Sequence, residues 1–252
     1  MKNIFKLTGI IAVAAITVFA MSACNGKKES AGNRSDVSNI KKQTPHEAVE
    51  VSGKPVEVKN LEDVKDFLWI NKSEYKIENN ILFIKATPKS DYFCDPVDGT
   101  STATAPFLYR EIKGDFLVSV RVKPVFADTY DACTIFVYAD ERHWLKTAFE
   151  YTDLGFNSIV TVKTEMYSDD ANGVEIKDDA VYLQVIRKGD IFACHYSSDG
   201  IDYKMARLFK MAVPDTIKVG LSAQSPMGEG GFMEFSNLKI TQTLPEDIRK
   251  SE

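Results

Sequence analysis

The sequence predicts an all-β protein, a sandwich or jelly roll of two antiparallel sheets. Three observations carry this. Short runs of apolar, β-branched and aromatic residues recur from about residue 61, several with the period of two that marks a half-buried strand. Turn sequences such as Gly114-Asp115, Lys188-Gly189-Asp190 and Ser198-Asp199-Gly200 separate them. No stretch shows a long, capped 3.6-residue period, and residues 61–67 offer one or two helical turns at most.

Residues 1–23 read as an export leader. Lys2 and Lys6 precede an apolar run over 7–21, shorter than the roughly 20 residues a spanning helix needs. The run ends in Met21-Ser22-Ala23-Cys24, which resembles the cleavage box of bacterial lipoproteins. That resemblance implies cleavage before Cys24, lipidation of its thiol and anchoring to a membrane through the lipid. It also implies a bacterial cell-envelope location, with Asn25 after the cysteine leaning towards the outer membrane. The other reading is an ordinary secretory leader with an incidental cysteine. Residues 24–60, rich in Ser, Lys, Asn and Gly, cannot bury enough to order themselves and read as a tether. A folded domain is expected over 61–243, followed by a tail, 244–252.

Composition bounds the partners. At 44% apolar residues the chain is too hydrophobic to be disordered. With 31 Lys+Arg against 36 Asp+Glu, it lacks the basic footprint of a nucleic-acid binder. With Cys24 assigned to lipid, Cys94, Cys133 and Cys194 allow either buried free thiols or one disulfide.

The strands follow in order. Residues 81–84 are an apolar run. Phe116, Val118, Val120 and Val122 alternate with Leu117, Ser119 and Arg121. Strand patterns continue over 134–138, 144–151, 159–166, 181–187, 191–196, 217–223 and 232–240. Parity assigns faces. Leu145, Thr147, Phe149 and Tyr151 share one side of their strand; Trp144, Lys146, Ala148 and Glu150 share the other. Unpaired Lys146 and Glu150 would not sit in a core, so the Trp144 face is expected to meet solvent or a cleft. In the next strand Val160, Val162 and Met166 are expected inward and Thr161, Lys163 and Glu165 outward. Arg121, Tyr182 and Gln184 face outward by the same rule. If these strands are neighbours, one sheet presents Trp144, Tyr182, Lys146, Lys163, Arg121, Glu150, Glu165 and Gln184. An aromatic plate ringed by charge and amide suits a sugar, whose C–H face stacks on indole while its hydroxyls take polar bonds. The same pattern also describes a solvated sheet face crossed by Lys–Glu pairs.

Tyr130-Asp131-Ala132-Cys133-Thr134 followed by His143-Trp144-Leu145-Lys146-Thr147-Ala148-Phe149-Glu150 resembles the domain-of-unknown-function 1349 family. Phe67-Leu68-Trp69-Ile70-Asn71, Ser90-Asp91-Tyr92-Phe93, Ala105-Pro106, Gly114-Asp115-Phe116, Tyr167-Ser168-Asp169-Asp170 and Val219-Gly220-Leu221 fall in the same order, so the resemblance spans about 65–240. It implies a concanavalin A-like jelly roll with a ligand on a concave sheet face, in a superfamily that binds or cleaves carbohydrates. Asp170 stands where an aromatic is usual, and Cys133 where a glycine is common.

No Glu-x-Asp-x-x-Glu strand, nucleophile elbow or phosphate loop supports catalysis. Asp169-Asp170 reads as a loop. His143 reads as a strand-edge residue, and Gly228-Glu229-Gly230-Gly231 as a hairpin loop. The superfamily often carries structural Ca²⁺, but no ligand set is assigned here and no cofactor is expected. The leading expectation is a lipid-anchored, non-catalytic glycan-binding sandwich. Trp144, Lys146, Glu150, Lys163, Glu165, Gln184, Tyr182 and Arg121 would contact the ligand, and Asp91 and Asp170 would rim the site. The alternatives are a glycoside hydrolase or lyase using Glu150, and an envelope module that binds a protein.

Overall fold

Period-two patterning needs two covered faces to become a globule, and the chain supplies them by stacking two sheets. The computed structural model describes residues 56–251. A short 3₁₀ helix, Leu61–Asp66, opens the domain. The strands that follow are β1 (Leu68–Ile70), β2 (Tyr75–Glu78), β3 (Ile81–Ala86), β4 (Tyr92–Cys94), β5 (Ser101–Ala103), β6 (Phe107–Lys113), β7 (Phe116–Lys123) and β8 (Ala132–Asp140). Then come β9 (His143–Tyr151), β10 (Asn157–Glu165), β11 (Tyr167–Glu175), β12 (Val181–Lys188), β13 (Ile191–Ser197), β14 (Lys204–Lys210), β15 (Thr216–Gln224) and β16 (Gly231–Thr241). Sheet I has the order β1-β6-β15-β8-β9-β10-β11 and sheet II the order β14-β13-β12-β7-β16-β3-β2; β4 and β5 form a separate pair. All pairings are antiparallel, as a jelly-roll sandwich requires.

The main core lies between the sheets. Phe116, Val118, Val120 and Val122 meet Ile135, Val137, Leu145 and Phe149 there, with parity as the alternation predicts. The two-residue turn after Lys188 uses Gly189 at φ +60°, a conformation that costs glycine little. Gly220 is required for another reason. A Cβ there would lie 1.9 Å from the Leu108 carbonyl oxygen of the neighbouring strand. Cys94, Cys133 and Cys194 are buried free thiols, and burial pushes the Cys194 thiol up to about 11.

Three features differ from the sequence reading. Val58, inside the stretch read as tether, is fully buried and bridges to Ile240. Asp169-Asp170 lies on β11, not in a loop; this edge strand is polar almost throughout, so no alternation reveals it. The expected tail does not hang free. Leu244 and Ile248 pack on Leu117, Ile186 and Ala193 at the outer face of sheet II. There His195 Nε2 lies 3.3 Å from the Arg249 carbonyl oxygen. The expected leader and lipidation site, Cys24, lie outside the described residues. Among the described residues no helix is long and apolar enough to cross a membrane.

Candidate functional site

Cross-strand pairing builds one continuous surface on the outer side of sheet I. Residues opposite each other in an antiparallel pair share a face. One row runs Phe136, Lys146, Val162, Asp170 across β8, β9, β10 and β11. Another runs Gln224, Ala132, Glu150, Ser158 across β15, β8, β9 and β10. The row at the opposite end contains Tyr138, Trp144, Thr164 and Ser168.

This surface has a dry half and a polar half. In the dry half Trp144 is 1% exposed. It packs edge-on to Tyr92 of β4 at 6.3 Å and tilted to Phe136 at 5.5 Å. Phe107, Val160 and Val162 complete a second apolar cluster, closed over by the β4–β5 pair. The cover is fastened at three points. Asn71 Nδ2 donates to the Ala103 and Ala105 carbonyls at 2.8 and 3.1 Å. The Cys94 N–H donates to Ser168 Oγ at 2.9 Å. Ser168 Oγ in turn lies 2.9 Å from Thr164 Oγ1. Trp144 therefore sits on the expected side of its strand but is no stacking platform. That expectation is corrected because β4 and β5 bury the ring.

In the polar half a cleft of about 180 Å³ opens between Asp91, Phe93, Tyr130, Lys146, Glu150, Val162, Asp170 and Gln224. Lys146 is buried, and its ammonium donates to Asp91 Oδ1 at 3.0 Å and Gln224 Oε1 at 3.1 Å. Gln224 Nε2 donates to the Tyr130 carbonyl at 3.3 Å and towards Glu150 Oε2 at 3.4 Å. These bonds fix which end of the amide faces the lysine. Tyr130 holds its carbonyl there from a left-handed backbone, φ +70°.

Burial pushes Glu150 up to about 8; Lys146 opposes that shift, while Asp170, Asp91 and Asp153 reinforce it. Asp170 is also raised, by desolvation first and by Asp91 and Asp153 after the opposing effect of Lys146. A carboxyl whose folded value is raised contributes stability in full below its unfolded value, near 4.5, and loses it as pH rises through about 8. Glu150→Gln should therefore flatten the decline in stability between pH 5 and pH 9. Urea midpoints at the two pH values read this; an equal decline in variant and wild type would refute the assignment.

Of the expected contact residues, Lys146, Glu150, Asp91 and Asp170 line this cleft. Lys163 and Glu165 do not. Lys163 pairs with Leu145, so it shares the inner face, near the Phe209 ring of sheet II, and forms an ion pair with Glu165 at the end of β10. The parity of β10 is thus the reverse of the expected one: Val160 and Val162 point outward into the second apolar cluster. Arg121, Tyr182 and Gln184 are also corrected. They face outward, but on β7 and β12 of sheet II, away from Trp144. Sequence reasoning missed Gln224, Tyr130, Phe93 and Val162. Gln224 was findable, since it follows the inward series Ile217, Val219, Leu221, Ala223 with opposite parity. Among the described residues no group of three or more His, Cys, Asp or Glu side chains is placed to hold a metal ion.

Known proteins resemble this chain along most of the domain. "Regulation of enolase protein 1" of Saccharomyces cerevisiae is 27% identical over 192 residues, covering 75% of this chain and 96% of the yeast protein. A crystal structure of a functionally unknown protein from S. cerevisiae superposes with TM-score 0.68 at 26% identity, covering 72% of this chain and 99% of that one. The Lotus tetragonolobus seed lectin superposes with TM-score 0.52 at 12% identity, covering 77% of this chain and all of the lectin, a likeness of fold alone. The two yeast relatives overturn the bacterial outer-membrane location expected from residues 1–25, since a yeast cell has no such membrane. Residues 69–243 match the family described as "Protein of unknown function (DUF1349)", and the chain belongs to that family.

Proposed function

We propose that the protein is a non-catalytic carbohydrate-binding sandwich whose ligand enters the cleft between Asp91, Lys146, Glu150 and Asp170. The observation that carries this reading is the cleft's construction. Buried Lys146 and Gln224 are held by hydrogen bonds before any ligand arrives, so little ordering is lost on binding. Phe93 and Val162 offer apolar contact for a sugar's C–H face beside acceptors and donors for its hydroxyls. The lectin-like fold supports the same reading by analogy of architecture.

Phe93 is only half buried at the cleft, so its truncation separates binding from folding. On a glycan array, Phe93→Ala should weaken binding at least tenfold with little change in the melting curve. Undiminished binding by that variant would move the ligand elsewhere, and a wild-type protein that captures no glycan would end the proposal.

A second reading draws on Glu150. Its raised value keeps it largely protonated at neutral pH, the state a general acid needs at a glycosidic bond. Asp170 or Asp91 in the same cleft would be the second carboxylate. Reducing ends released from a polysaccharide panel by the wild type, and lost in Glu150→Gln, would favour this reading.

A further inference from the structure

The cleft is lined by more acidic than basic groups. Three carboxylates line it, from Asp91, Glu150 and Asp170, and Lys146 is the one cation among its lining residues. That cation is already engaged: its ammonium binds Asp91 and the Gln224 carbonyl oxygen. The Gln224 amide is committed in the same way, to Tyr130 and Glu150. Glu150 is 5% exposed and accepts only that one bond, at a distance longer than an ordinary N–H···O contact. Its remaining acceptor capacity faces a cleft with no further donor among the lining side chains except the Tyr130 hydroxyl.

Resting on the carbohydrate reading above, we propose that the cleft binds a single sugar residue bearing a free, cationic amino group, an unacetylated hexosamine. Its ammonium sits between Glu150 and Asp170, and its ring lies against Phe93 and Val162. The space fits this size. The cleft of about 180 Å³ admits a ring between its apolar wall, Phe93 and Val162, and its carboxyl groups. An anionic sugar such as a uronic acid finds the cleft's one lining cation already bound to Asp91 and is rejected.

The titration of the cleft gives the proposal a second signature. Glu150 is held up by burial and by the charges of Asp170, Asp91 and Asp153, against the pull of Lys146. A bound ammonium adds a second positive charge at the same place. Glu150 then releases a proton on binding at pH 7.

Isothermal titration at pH 7, repeated in two buffers of different ionisation heat, tests this with glucosamine, galactosamine, N-acetylglucosamine, glucose and glucuronate. The expected result is at least tenfold tighter binding of one amino sugar than of glucose or the acetylated sugar. No binding of glucuronate and a buffer-dependent heat that reports proton release should accompany it. Glu150→Gln should abolish the proton release and the tenfold preference. Asp170→Asn, at the exposed mouth, should reduce the preference without risk to the fold. Equal affinity for glucosamine and glucose, or amine binding with no proton release, would overturn the amino-sugar assignment while leaving a glycan site standing. Failure of every sugar to bind would overturn both.

Discussion

Trp144→Ala is expected to lower stability by about 3–5 kcal/mol, the range for truncating a large buried aromatic side chain. The ring is 1% exposed and is held between Phe136 of sheet I and Tyr92 of the covering strand. Its removal leaves a void beneath Tyr92 of β4, which would then rest on Phe136 and Tyr138 alone among the rings it now meets. Asp91 immediately precedes β4, so its bond to Lys146 should loosen as well, and ligand binding should weaken through displacement rather than lost contact. Urea unfolding reads the effect as a lowered midpoint at unchanged slope. A loss below about 1 kcal/mol would show that the indole contributes no core packing.

The second large effect is expected at Lys146. Removing one member of a buried ion pair costs about 3–5 kcal/mol, because the other is left charged and uncompensated. Lys146→Met should fall near the lower end, since Asp91 keeps 20% of its side chain exposed and can be partly hydrated. The methionine preserves the apolar stem but leaves Gln224 Oε1 without its donor and Asp91 Oδ1 with the Tyr92 N–H alone. The cost should grow with pH, because the lysine also lowers the values of Glu150 and Asp170. Asp91→Asn in the Lys146→Met background should cost less than in the wild type, and a double-mutant cycle measures the difference. Strict additivity would mean that the 3.0 Å contact carries no coupling energy.

The same lysine shows what a sequence can and cannot disclose. Its side of β9 was legible from parity, as were the all-β class, the inward faces of β7 and β9, and the hairpin at Gly189. Its burial was not. A lysine avoids a core unless it is paired. The pair exists, but its partners stand 55 and 78 residues away, and no local pattern reports contacts at that range. β10 failed for a related reason. Val160 and Val162 look like inward residues because they are buried, yet they serve the second cluster. When both faces of a sheet are covered, alternation no longer tells which apolar row belongs to which core. Arg121, Tyr182 and Gln184 were lost at a higher level still. Each faces outward as expected, but which sheet a strand joins depends on strand order, and that is decided by pairings between distant segments.

The closing residues of the described chain have a consequence for how this molecule can be approached. Ile248 and Leu244 roof the middle of sheet II, and the Arg249 carbonyl meets the imidazole of His195 beneath them. The returning chain thus shields the patch over Leu117, Ile186 and Ala193, while the cleft on the opposite sheet stays open. A molecule that approached sheet II at this patch would first have to lift the closing segment away.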